Sequence, residues 1–144
     1  MPYADTDFFI AISNSSDRLN AWAIKALESY EGKIYTSILT LVELALVSVR
    51  KGIPVESMIS SVLSIAELRG SSKQSALAAA HLIDHEGVGV FDSFHASLCE
   101  GEIISSDHMT IPNIPVNFPL TQGWIHFEQF SCRKRPNYGK ITVI

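Results

Sequence analysis

Short apolar runs that read as β-strands alternate along this chain with longer segments that are apolar at helical spacing, and no other feature constrains the fold as much. A strand predicted around Tyr3–Asp5 leads through Phe8-Phe9-Ile10 to Ser13-Asn14-Ser15-Ser16, a cluster of the kind that starts helices. Asp17–Glu31 then carries Leu19, Trp22, Ala23, Ala26, Leu27 and Tyr30 at helical spacing and stops at Gly32. Ile34-Tyr35-Thr36 is β-like, and Ser37 can cap a helix running to about Lys51, ended by Gly52 and Pro54. Pro54 suits the first turn of a further helix, Val55–Arg69, closed by Gly70. Ser71-x-x-Gln74 fits a capping box for a helix that reaches Gly87. Val88–Phe91 and Ile103–Ser106 read as buried strands with a helix, Ser93–Glu100, between them. The pattern predicts an α/β chain, doubly wound, with a parallel sheet covered on both faces.

With 144 residues and 47% hydrophobic content, one domain over residues 1–144 is expected, with a core over about 2–118 and an extension over about 119–144. The formal charge of −4 gives no general attraction to a polyanion, so such a partner must be held by a local basic patch or through cations. That excludes a simple nucleic-acid coat but not a nuclease, whose metal site is itself acidic. Cys99 and Cys132 lie far apart, the opening residues show no charged segment followed by an apolar run, and no apolar stretch is long enough to span a membrane. A reduced, cytoplasmic protein without a membrane association is the expectation.

Four carboxylates interrupt the apolar runs where a carboxylate is costly: Tyr3-Ala4-Asp5, Leu41-Val42-Glu43-Leu44, Val90-Phe91-Asp92 and Ile103-Ile104-Ser105-Ser106-Asp107. Burying ionised carboxylates together costs several kcal/mol each unless a cation is shared. In a doubly wound sheet the loops at the carboxyl ends of the strands form the ligand crevice. Asp5, Asp92 and Asp107 are each expected at such an end, with Glu43 in the helix after the second strand, over the same edge. An all-carboxylate set suits a hard cation, Mg²⁺ or Mn²⁺, and lacks the histidines and thiolates of a zinc site. One or two such ions can activate water against a phosphodiester.

The ordered set Asp5-Thr6-Asp7, Thr36-Ser37-x-x-Thr40-x-x-Glu43-Leu44, Phe91-Asp92-Ser93-Phe94-His95-Ala96 and Ile104-Ser105-Ser106-Asp107 resembles the PIN-domain ribonucleases, especially the VapC-like toxins, over residues 2 to 110. The resemblance implies a three-layer α/β/α sandwich with a central, mainly parallel sheet, here followed by a C-terminal β extension. It also implies a Mg²⁺- or Mn²⁺-dependent endoribonuclease acting on single-stranded RNA, frequent homodimers and, for the toxins, an antitoxin protein that blocks the site. Carried over by position, Asp5, Glu43, Asp92 and Asp107 are the catalytic and metal-binding acids. Thr6, Asp7, Ser106 and His95 stand beside them, toward the acids or the substrate. The chain departs from the family pattern at Asp107-His108-Met109-Thr110, where a second late acid is often found.

Other readings compete with parts of this one. Glu43 could complete a capping box with Thr40, and Asp92 could cap a helix from Ser93. His81 and His85 share a helical face, but no glutamate stands between them as a zinc protease needs. Arg133, Lys134 and Arg135, near Tyr138, could contact an RNA backbone or form a solvated basic turn. The prolines Pro112, Pro115 and Pro119, the aromatic segment Trp124–Phe130 and a turn at Pro136–Gly139 suggest a C-terminal hairpin. Asp5-Thr6-Asp7 is also similar to the nucleophile loop of haloacid dehalogenase-like phosphatases, although Phe9 stands where threonine or valine belongs. A degenerate PIN-like module that binds RNA or protein without cutting is the remaining alternative.

Overall fold

Five short strands form one sheet in the computed structural model, which describes residues 1–106 and Thr142–Val143. They are β1 (Tyr3–Ala4), β2 (Ile34–Ser37), β3 (Ala66–Arg69), β4 (Glu102–Ile104) and β5 (Thr142–Val143), in the spatial order β3-β2-β1-β4-β5. Every pairing is parallel, with Tyr3 opposite both Tyr35 and Ile103. The helices are α1 (Thr6–Ser13), α2 (Asn20–Ser29), α3 (Ile38–Lys51), α4 (Val55–Ile65), α5 (Lys73–Glu86) and α6 (Val90–Leu98). None of them is long and apolar enough to cross a membrane.

Alternation along the strands sorts their side chains into two cores. Ala4, Ile34, Ala66 and Ile104 join Phe8, Phe9, Leu41, Leu44 and Val62 under α1 to α4, while Tyr3, Tyr35 and Ile103 pack with Leu98 and Cys99 on the other face. Helices therefore cover both faces of a parallel sheet, the α/β/α sandwich expected. All four residues of β2 are buried, as a central strand covered twice requires. Phe8 is fully buried, edge-on to Phe9 at 5.2 Å and to Trp22 at 6.3 Å. Each such ring contributes about 2–3 kcal/mol of transfer free energy, which binds α1 to α2 and to the sheet.

The local structure departs from the sequence expectations at four places. Phe8-Phe9-Ile10 belongs to α1, which Asp5 caps by accepting the Phe8 N–H at 3.2 Å, so the cluster after it ends that helix rather than starting the next. There the Asn14 Oδ1 accepts from the Ser16 backbone N–H and hydroxyl. Ala66–Arg69, expected as the end of a helix, is β3, because β2 offers it a complete parallel ladder and tertiary pairing overrides a helical composition. Val88–Phe91 is not a strand: Gly89 is the N-cap of α6, whose first residues Val90 and Phe91 are exposed. Four apolar residues carry no period that separates a strand from a helical turn. The capping box of α5 is Ser72 with Ser75, one residue later than Ser71 with Gln74. The proposed hairpin turn lies outside the described residues, and β5 lies parallel beside β4.

Candidate active site

The sheet order places β1 between β2 and β4. The chain steps outward from β1 to β2 to β3, then returns through α5 and α6 to the opposite side of β1. The crevice of a doubly wound sheet opens at that reversal, past the carboxyl ends of β1 and β4. Asp5 follows β1 directly and Ser105 and Ser106 follow β4, so topology alone delivers them to one place. Asp5 is 6% exposed and serves as the N-cap of α1, while Ser105 donates to its carboxylate. Burial pushes its pKa up to about 6, opposed by the Ser105 and Phe8 hydrogen bonds and reinforced by the charge of Asp7.

Glu43 reaches the same cleft from the second turn of α3. The N-cap of α3 is Ser37, which makes Thr40 an interior helical residue. A capping box between Thr40 and Glu43 is thereby ruled out. One carboxylate oxygen of Glu43, Oε2, accepts from the Thr6 hydroxyl and pairs with His95 Nε2 at 2.6 Å. Burial works against this carboxylate, but the hydrogen bonds from His95 and Thr6 outweigh it and hold its pKa below the usual carboxylate value. Behind it, His95 Nδ1 lies 2.7 Å from the Tyr3 hydroxyl, which also bonds Ser37 Oγ at 2.8 Å and Thr40 Oγ1 at 3.1 Å. Burial pushes the Tyr3 phenol up to about 12, against the lowering effect of Ser37 and Thr40. A further tie sets α6 against β2: the Tyr35 hydroxyl accepts the Glu100 N–H at 2.6 Å and donates to Leu98 O at 3.3 Å.

Asp92 stands in the first turn of α6, three residues beyond the Gly89 N-cap, rather than at a strand end or capping a helix from Ser93. A negative charge there suits the helix dipole. A Cβ built on Gly89 would lie 3.1 Å from the Asp92 Oδ2, so the absence of a side chain at 89 leaves this carboxylate room. Asp7, in the first turn of α1, accepts the Ser106 hydroxyl at 2.9 Å.

A cleft of about 90 Å³ is lined by Asp5, Thr6, Asp7, Glu43, Asp92, His95 and Ser105. That is room for an ion with several waters. Three of the four sequence-derived acids thus open on one cleft, together with Thr6, Asp7 and His95, while Ser106 enters through Asp7. Asp107 and the basic residues Arg133, Lys134 and Arg135 lie outside the described residues. The donors fit a hard divalent cation in kind: carboxylates and hydroxyls, with Glu43 held charged against burial by its hydrogen bonds, and a histidine whose two nitrogens are engaged within the protein. Among the described residues, no three His, Cys, Asp or Glu side chains are grouped closely enough to hold an ion by themselves. Two participants escaped the sequence reading, Tyr3 and Ser105. The available signal for Tyr3 was a tyrosine in a two-residue buried strand, whose hydroxyl must find a polar partner inside.

The PIN domain family model matches residues 3–106. Comparison with curated proteins by sequence finds no match. Among solved structures, the chain resembles a toxin–antitoxin complex from Klebsiella pneumoniae, with TM-score 0.60 and 21% identity over 78% of this chain and 93% of that one. It also resembles Mycobacterium tuberculosis VapC20, a toxin that cleaves the sarcin–ricin loop, with TM-score 0.56 and 18% identity over 67% of this chain and 78% of that one. A third likeness is to VapBC2 from Rickettsia felis bound to a DNA fragment from its promoter, with TM-score 0.56 and 17% identity over 73% and 86% of the two chains. At these identities the likeness is one of fold.

Proposed function

This chain belongs to the PIN domain family, and on that premise we propose that it is a metal-dependent endoribonuclease that hydrolyses single-stranded RNA as the toxin of a toxin–antitoxin pair. The observation that carries the reading is the single cleft into which α1, α3 and α6 deliver Asp5, Glu43 and Asp92. Family membership also displaces the phosphatase reading of Asp5-Thr6-Asp7. Mg²⁺ or Mn²⁺, for which Asp5, Glu43, Asp92 and Asp107 are the proposed ligands, would supply Lewis acidity toward a phosphodiester oxygen and lower the pKa of water.

The protein's own groups have distinct tasks. Burial disfavours the charged form of Asp5, so its carboxylate gains more from a cation than an exposed carboxylate would. Thr6 and His95 occupy one oxygen of Glu43, and Ser106 holds Asp7 at the side of the cleft. An acidic cleft repels a phosphodiester, so the RNA backbone needs cationic groups, for which Arg133, Lys134 and Arg135 are the proposed residues. A cytoplasmic location, an antitoxin protein covering the cleft and a homodimer complete the proposal. For the homodimer, Ile38, Val42, Leu46 and Val49 form an exposed apolar stripe on α3, with exposures of 59%, 48%, 60% and 71%. Such a stripe favours association.

The test is cleavage of single-stranded RNA by the full chain in Mn²⁺, in EDTA, and with Asp92→Asn. Cutting in Mn²⁺ is expected, with none in EDTA and a loss on the order of 100-fold in the variant. Persistent cutting in EDTA, or an undiminished variant, would overturn the mechanism. The alternative, a degenerate module, is motivated by Asp107-His108-Met109-Thr110, where a second late acid is often found. It predicts RNA retention without cleavage in the same experiment.

A further inference from the structure

We infer that Tyr3 and His95 form a positioning device that sets the Glu43 carboxylate for a cation, with Oε2 tied down from inside the protein and Oε1 presented to the cleft. The role of Glu43 rests on the nuclease reading, whereas the device rests on geometry. Both hydrogen bonds to Glu43, from Thr6 and from His95, fall on Oε2. Oε1 has no hydrogen-bond partner among the described residues.

His95 is 4% exposed and has both ring nitrogens occupied, Nε2 by Glu43 at 2.6 Å and Nδ1 by the Tyr3 hydroxyl at 2.7 Å. It has no nitrogen free to touch water or phosphate, so it acts through Glu43 and is a positioning residue. A carboxylate at Nε2 calls for an N–H there, and Nδ1 is left to the Tyr3 hydroxyl. Tyr3 is itself immobile. It is fully buried in the strand between β2 and β4, stands edge-on to Tyr35 at 5.4 Å, and has its hydroxyl shared with Ser37 and Thr40. The column thus carries the rigidity of the sheet centre through α6 to a side chain on α3. Groups that hold a metal's ligands in this way typically matter 10–100-fold to affinity or activity.

Two substitutions separate positioning from mere cross-linking. Glutamine places its amide nitrogen near the imidazole Nε2, so His95→Gln keeps the donor to Glu43 and gives up Tyr3. Asparagine reaches only as far as Nδ1, so His95→Asn keeps Tyr3 and gives up Glu43. Mn²⁺ affinity of the full chain by titration calorimetry is expected to fall about 10–100-fold in His95→Asn and to return to within about threefold of wild type in His95→Gln, with kcat for RNA cleavage following the same order. Tyr3→Phe, which keeps the ring packing, is expected to weaken Mn²⁺ binding by a smaller factor and covers the case in which His95→Asn fails to fold.

Equal Mn²⁺ affinities in the two His95 variants, or an unchanged affinity in Tyr3→Phe, would overturn the device while leaving the nuclease reading intact. Undiminished cleavage by Glu43→Gln would instead overturn the role of Glu43, and the inference with it.

Discussion

Burial pushes the Asp5 carboxyl from its ordinary 3.8 up to about 6, against the hydrogen bonds of Ser105 and the Phe8 N–H. The folded chain therefore binds this proton more tightly than the unfolded chain does. Stability of the metal-free protein is highest below about pH 3.8 as far as this group is concerned, falls as pH rises to about 6, and is level above, a loss of about 3 kcal/mol in all. Asparagine has no charge to desolvate and can still accept the Phe8 N–H as an N-cap. Asp5→Asn is accordingly expected to raise the urea midpoint in EDTA at pH 7, with the advantage shrinking toward zero near pH 4. A lower midpoint for the variant at pH 7 would show that the charge is already compensated. The same substitution removes a proposed cation ligand, so a gain in metal-free stability and a loss of the proposed Mn²⁺-dependent cleavage are expected together. Such a trade between stability and function is usual at active sites.

At the scale of elements, α3 carries the site and its ends are set by backbone chemistry. Gly52 closes it in the left-handed region at φ 68°, with nothing within 4 Å of where a Cβ would stand. The cost of a side chain there is conformational alone, and Gly52→Ala is expected to destabilise the fold by about 1–2 kcal/mol. Gly70 has equally open surroundings but no positive φ. Gly70→Ala is expected to stabilise by about 0.4–1 kcal/mol by restricting the unfolded chain. Chemical denaturation of the two variants checks both signs, and equal effects would contradict the conformational account. The elements misread from sequence fail for one reason. Ala66–Arg69 and Val88–Phe91 are four-residue segments too short to show a period, so their state is set by what lies beside them. For β3 that neighbour is a free edge of β2, and for α6 it is α5.

For the whole molecule, the exposed stripe on α3 and the acidic cleft are opposite consequences of one helix. Leu41 and Leu44 are buried and Glu43 turns to the cleft, while Ile38, Val42, Leu46 and Val49 face outward. A homodimer covering that stripe is expected to dissociate in Leu46→Glu, with sedimentation showing a monomer of unchanged helix content. A dimer that persists in the variant would place the interface elsewhere. The alternation of strands and helices, the stops at Gly52 and Gly87 and the candidate acids were legible in the sequence, because period, glycine and buried charge are properties of neighbouring residues. The convergence of Asp5, Glu43 and Asp92 on one cleft was expected from strand order, yet the expected placement of Asp92 at a strand end was wrong, and it arrives instead on the first turn of α6. Only the tertiary structure decided that Tyr3, His95 and Glu43 form a column, since its bonds join residues 92 and 52 positions apart. Local preference determines which segments can be helix or strand, whereas a hydrogen bond across that span exists only after sheet order has brought β1, α3 and α6 together.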